Sequence, residues 1–168
     1  MDELQNNVVA IVGKPQVLKK KIIYAVVSAL FFVAVSLPDT YKQTNRLTNT
    51  IDNNCPTATG KFIHTAVFFI LNFVMMKIAE SYKEKGHLSN GLIAKYAFSG
   101  ALLFFMVSSS DTYLLTSQLF GEQIGSAGCP TMTGILVHGV VFAALLVIMM
   151  SFPKDRLYPP SYQLPKKL

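Results

Sequence analysis

The sequence predicts an all-α integral membrane protein, a four-helix bundle built from two tandem helical-hairpin repeats. Three observations carry that expectation: an internal duplication, an apolar and charge-poor composition, and a one-sided distribution of basic residues. The duplication is explicit. A shift of 72 residues lays Tyr24-Ala25, Ala29-Leu30, Phe32, Val35-Ser36, Asp39-Thr40-Tyr41, Thr44 and Leu47 on identical residues from Tyr96 to Leu119. A shift of 74 lays Cys55-Pro56-Thr57, Thr59-Gly60, His64, Val67-Phe68, Leu71 and Met75-Met76 on identical residues from Cys129 to Met150. Chance likeness between apolar segments would not reproduce a Cys-Pro-Thr-x-Thr-Gly-x-x-x-His string, so the halves are read as repeats.

Composition sets the solvent. Apolar residues make up 51%, charged residues 14%, and the mean hydropathy is +0.40. A soluble helical chain of this size needs more charge on its outer faces. Four apolar stretches stand out: Ile22–Leu37, Phe62–Met76, Leu92–Val107 and Gly134–Phe152. Those shorter than the roughly 20 residues of a bilayer-crossing helix extend into weakly polar flanks.

In chain order, residues 1–21 form an N-terminal arm. Leu4, Val8, Ile11 and Val12 fall at helical spacing before Gly13 and Pro15, which suits a short interfacial or partner-binding helix or a solvated arm. The first apolar run begins only at Ile22 with no small-residue cleavage site after it, so no cleavable signal is expected. Residues 22–79 make the first transmembrane hairpin, 80–91 a linker, and 92–152 the second hairpin. Residues 153–168 form a Pro-rich tail in which Pro159, Pro160 and Tyr162 match the PPxY form bound by WW domains.

Charge orients the chain. Two spans per repeat put both termini and the linker on one side, with twelve basic and five acidic residues. The other side has three basic and four acidic residues, so the sides carry +7 and −1 and together give the net +6. The positive-inside rule makes the termini cytosolic. The expected partner of this basic surface is the lipid bilayer, with no direct nucleic-acid binding.

Cys55 and Cys129 occupy equivalent places on the non-cytosolic side. They are read either as a disulfide joining the hairpins or as small residues before Pro56 and Pro130, each proline opening a helix. Gly60 and His64 share a helix face, as do Gly134 and His138, and small residues at that spacing permit close helix approach in lipid. Asp39 and Asp111, at similar depth, are the expected partners of His64 and His138, forming structural polar pairs. The alternative use of the two histidines, joint ligation of a haem or metal in a cofactor-binding or transport protein, lacks a second ligand set. No metal, cofactor or catalytic residue is expected, and the chain is not read as an enzyme. It has no phosphate loop, nucleophile elbow or Cys-x-x-Cys pair. Asn72 in the second span is replaced by Leu146 in the fourth, so no repeated polar path is visible.

The unit Ser-x-x-Asp-Thr-Tyr-x-x-Thr, then Cys-Pro-Thr-x-x-Gly-x-x-x-His-x-x-Val-Phe with a closing Met-Met, spans Ser36–Met76 and Ser108–Met150. It resembles small multi-spanning membrane proteins of large icosahedral (nucleocytoplasmic) DNA viruses with an internal membrane. The resemblance implies a structural virion membrane protein, of minor capsid type, that organises an internal membrane against a protein shell. Its partners would be other membrane or capsid proteins, and its locations the virion membrane and host endomembrane. A membrane adaptor recruiting a WW-domain protein is the competing expectation.

Overall fold

The computed structural model describes residues 15–53, 55–82 and 88–151. The N-terminal arm up to residue 14, part of the linker, and the tail with Pro159, Pro160 and Tyr162 lie outside them.

The described chain is all-α apart from two very short antiparallel ladders. Helix α1 runs Pro15–Ser36 and α2 Pro38–Thr44. Strands β1 (Ile51–Asp52) and β2 (Cys55–Pro56) precede α3, Ala58–Ser81. Next come α4 (Asn90–Val107), α5 (Ser110–Phe120), β3 (Gly125–Ser126), β4 (Cys129–Pro130) and α6 (Met132–Ser151). Breaks and starts follow local chemistry. Leu37 is held extended ahead of Pro38, which ends α1 and opens α2 at a bend of 59°. In the second half the same break is made by Ser109, whose hydroxyl accepts from the Thr112 N–H at 3.2 Å. Ser89 caps α4 in the same way, through the Leu92 N–H.

The helices outrun the apolar stretches that announce them. Helix α1 begins seven residues before Ile22, α3 continues to Ser81, and α4 starts at Asn90. Lys19, Lys20 and Lys21 continue α1 without penalty, because lysine is a good helix former whatever its hydropathy.

Four long helices alternate in direction, with α1 packing on α6 and α3 on α4 more extensively than α1 on α3. The core is tied by a closed ring of four phenylalanines, one from each long helix. Phe32 meets Phe104 and Phe142 at ring distances of 5.2 and 5.1 Å, and Phe68 meets the same two at 4.5 and 5.5 Å. All four are fully buried. On α3 the buried positions Gly60, His64, Phe68, Asn72 and Glu80 recur at multiples of four, a single stripe facing inward.

The outward faces are apolar. Leu30, Phe62, Ile70, Met106 and Val140 are each more than half exposed. Three helices, α3, α4 and α6, are long and apolar enough to cross a membrane, and the bent pair α1–α2 makes a fourth if taken as one broken span. A soluble monomer seldom exposes apolar surface on this scale, so these helices are consistent with a membrane protein.

Candidate functional site: two clasps joined by a disulfide

At one end of the long helices, each half folds its connecting segment back over the helix ends. In the first half, β1 pairs with β2 through Ile51–Pro56 and Asp52–Cys55. In the second, β3 pairs with β4 through Gly125–Pro130 and Ser126–Cys129. The second turn is closed by Ala127 and Gly128, both at positive φ, as a two-residue hairpin with primed geometry requires. Cys55 and Cys129 are joined as a disulfide, with Cα atoms 5.1 Å apart. Of the two readings of the cysteines, the bridge is the one found.

The prolines beside them do not open the helices. Pro56 and Pro130 sit in the ladders, and each helix starts later, at Ala58 and Met132. Thr57 and Thr131 are the caps: each hydroxyl accepts from the N–H three residues on, Gly60 and Gly134, at 3.0 Å. The same two hydroxyls donate back to the loop carbonyls of Asn49 and Gln123. The proline instead takes a ladder position whose N–H is dispensable.

Gly60 and Gly134 serve this loop as well. A Cβ on Gly60 would overlap the Thr50 carbonyl oxygen, and one on Gly134 that of Ile124. The close approach that glycine permits here is of loop backbone to helix start, in place of the helix-to-helix contact expected.

The histidines are buried at the centre of each clasp. The His64 Nδ1 lies 2.7 Å from the Val35 carbonyl, and its Nε2 lies 2.9 Å from the Thr44 hydroxyl. His138 repeats this with Val107 at 2.9 Å and Thr116 at 3.0 Å. A carbonyl only accepts, so Nδ1 carries the proton and the neutral ring receives the threonine hydroxyl at Nε2. Val35 and Val107 stand in the last turns of α1 and α4, whose carbonyls have no partner within their own helix. Each imidazole therefore caps the C-terminal end of the preceding long helix. Each also stacks on a tyrosine, Tyr41 on His64 at 3.6 Å and Tyr113 on His138 at 4.0 Å, with planes nearly parallel.

The expected Asp39–His64 and Asp111–His138 pairs are not what forms. Asp39 is exposed and pairs with Lys42 at 3.2 Å, and Asp111 is exposed at the start of α5. Helical phase is the reason. Asp39 and Tyr41 are two residues apart, about 200° around α2. With Tyr41 and Thr44 turned inward, the aspartate faces solvent, where a first-turn carboxylate is favourable to the helix dipole. The residues missing from the sequence reading, Thr44, Thr116, Val35 and Val107, are all identical between the halves, which was the signal that marks them.

Two further features are not duplicated. Lys61 donates to the Ser110 hydroxyl across the halves at 2.6 Å, beside the attracting charge of Asp111. The hydroxyl of Tyr113 is buried and unpartnered, and burial raises the Tyr113 phenol well above the usual tyrosine value.

As a chemical site the clasp is closed. Both nitrogens of each imidazole are engaged by protein groups, so neither ring presents a lone pair to an iron in this arrangement. Among the described residues no cluster of three or more His, Cys, Asp or Glu is placed to hold a metal ion. No protein-family model, curated protein or solved structure matches the chain.

Proposed function

We propose that this chain is a structural membrane protein: a four-helix bundle of two tandem hairpins whose disulfide-linked clasps form a rigid platform on one membrane face. The observation that carries the reading is the doubled His–Thr–carbonyl clasp. In each half both imidazole nitrogens are satisfied by protein groups of that same half, an arrangement that holds shape and turns neither ring nitrogen toward a substrate. Twelve basic residues against three support a topology with the termini and linker in the cytosol and the platform on the opposite, oxidising side, where a disulfide persists.

The motif string supports assignment to a virion with an internal membrane, which the protein would fasten to the shell through its platform and tails. The platform carries apolar surface suited to such contact: Leu115, Leu119 and Phe120 of α5 are all more than half exposed. The test is location. The reading expects the chain in purified particles, resistant to carbonate extraction, with cysteines introduced at Ser89 and Ser126 labelled from opposite membrane faces. Recovery in host membranes but not in particles overturns the virion assignment. Labelling of both positions from one face overturns the topology.

A further inference from the structure

Beyond the phenylalanine ring, at the end of the helices away from the disulfide, the described residues leave the interior unfilled. A cleft of about 520 Å³ opens there between α1, α3, α4 and α6. That volume lies within the roughly 300–1,000 Å³ of sites that take small molecules.

The cleft arises where the two halves differ. One turn beyond the ring, the first half places Ser28 and Asn72, and the second places Gly100 and Leu146 at the matching positions. Ser28 donates to the Asn72 Oδ1 at 2.6 Å, and the Asn72 amide donates to the Phe68 carbonyl at 2.9 Å. The polarity of this floor is thus turned into the protein. Gly100 is buried, yet a Cβ added to it would meet nothing within 4 Å. A buried glycine facing open space marks room that a side chain has not taken.

The walls and rim are chemically sorted. Met75, Met76, Met149 and Met150 supply a soft apolar lining that adapts to an irregular or flexible chain. Tyr24 and Tyr96, equivalent positions in the halves, stand with Lys21 and Lys95 toward the mouth. The acid among the lining residues, Glu80, is buried and accepts from the Leu88 N–H at 3.0 Å. Among the described lining residues two lysines stand against one carboxylate, and Lys21 also donates to the Ser151 hydroxyl at 3.5 Å. A basic pocket between membrane helices, with an apolar interior, fits an anionic lipid head above an acyl chain.

We infer that this cleft holds a single anionic phospholipid, with one acyl chain among the methionines as far as Gly100 and the phosphate at Lys21 and Lys95. The site rests on the membrane reading of the helices and is independent of any virion role.

The test uses the full chain, purified in a neutral detergent, with native mass spectrometry reading bound lipid. Phosphatidylglycerol and phosphatidylcholine of identical acyl chains are the probes. Wild type is expected to retain phosphatidylglycerol on the order of tenfold more strongly, from two lysines near the phosphate. Lys21→Gln with Lys95→Gln is expected to remove the preference. Gly100→Leu is expected to remove retention of both lipids with the disulfide and melting temperature intact. Equal retention of the two lipids by wild type overturns the head-group assignment, and undiminished retention by Gly100→Leu overturns the cleft.

A photoactivatable acyl chain on phosphatidylglycerol gives a readout on the wild-type protein alone. Crosslinks are expected at the methionine pairs of α3 and α6, and an even spread over the outer apolar faces overturns the site. Carbonate extraction of cell membranes separates the two levels. A chain released by carbonate refutes the membrane reading itself, whereas a resistant chain without lipid retention refutes only the cleft.

Discussion

Replacing His64 by alanine is the most direct challenge to the clasp. The imidazole is 1% exposed and binds the Val35 carbonyl at 2.7 Å and the Thr44 hydroxyl at 2.9 Å. Its loss strands the Val35 carbonyl at the end of α1, in a place water does not reach, at about 1–3 kcal/mol. Thr44 loses less, because its hydroxyl can turn its single proton to the Thr40 or Tyr41 carbonyl. Loss of the Tyr41 stack adds about 0.5–1.5 kcal/mol. The sum is about 2–4 kcal/mol, which for a chain of this length lowers the melting temperature by roughly 5–15 °C.

The assay is thermal unfolding in detergent micelles followed by far-UV circular dichroism, with the disulfide intact throughout. His64→Asn returns a donor near the Nδ1 position and is expected to recover the Val35 share. Asp39→Asn is expected to leave stability within about 0.5 kcal/mol of wild type, since that carboxylate makes only an exposed pair with Lys42. The reasoning is refuted if His64→Ala is as stable as wild type, or if Asp39→Asn costs as much as His64→Ala.

Three further outcomes are expected from the same end of the molecule. Reducing the Cys55–Cys129 bridge, which closes a loop with a sequence separation of 74, should cost up to about 4 kcal/mol of unfolding free energy in the chain-entropy account; non-reducing peptide mapping and melting with and without reductant check it. Tyr113→Phe removes a buried hydroxyl that has no partner while keeping the His138 stack, so stability should be unchanged or higher by up to about 1 kcal/mol. Because burial raises the folded phenol, its contribution is complete below about pH 10 and declines as pH rises above that value. Melting curves of wild type and Tyr113→Phe across that range should show the smaller alkaline loss in the variant. Gly134→Ala would gain about 1 kcal/mol from helix propensity alone, yet the Ile124 carbonyl occupies the Cβ position, so a net loss is expected in the same melting assay.

The helices were legible because hydropathy and duplication speak along the chain. The inward stripe of α3 shows as Gly60, His64, Phe68 and Asn72 at every fourth position. The clasp was legible in membership and less so in pairing. Its cysteines, histidines and tyrosines stand out as repeated residues, but partner choice depends on the rotation of α2 and α5. Those short helices have no apolar periodicity to announce them: α2 reads Pro-Asp-Thr-Tyr-Lys-Gln-Thr, where only Tyr41 is buried. Complementary charge suggested aspartate as the partner of histidine, whereas the available acceptor was a helix-end carbonyl, which has no side-chain signature. The cleft was hidden for the opposite reason. It forms at Ser28, Asn72, Gly100 and Leu146, where the halves disagree, and a reading guided by identity passes over such positions.

That contrast between the ends frames the Ser28–Asn72 bond, the buried side-chain pair linking α1 to α3 within the first half. If the bond serves to unite these helices, its two members act as a unit and their deletions are non-additive. Asn72→Leu, which writes the second-half residue into the first, leaves the Ser28 hydroxyl without its partner at about 1–3 kcal/mol. Ser28→Ala strands the Asn72 oxygen at similar cost. The double variant leaves neither group unpaired, so a cycle of the four proteins should give a coupling of at least about 1 kcal/mol. Thermal unfolding of all four forms measures it. Additive losses would mean that each polar group is already satisfied by water in the cleft, and that α1 and α3 are held together by the phenylalanine ring and the clasp without help from this bond.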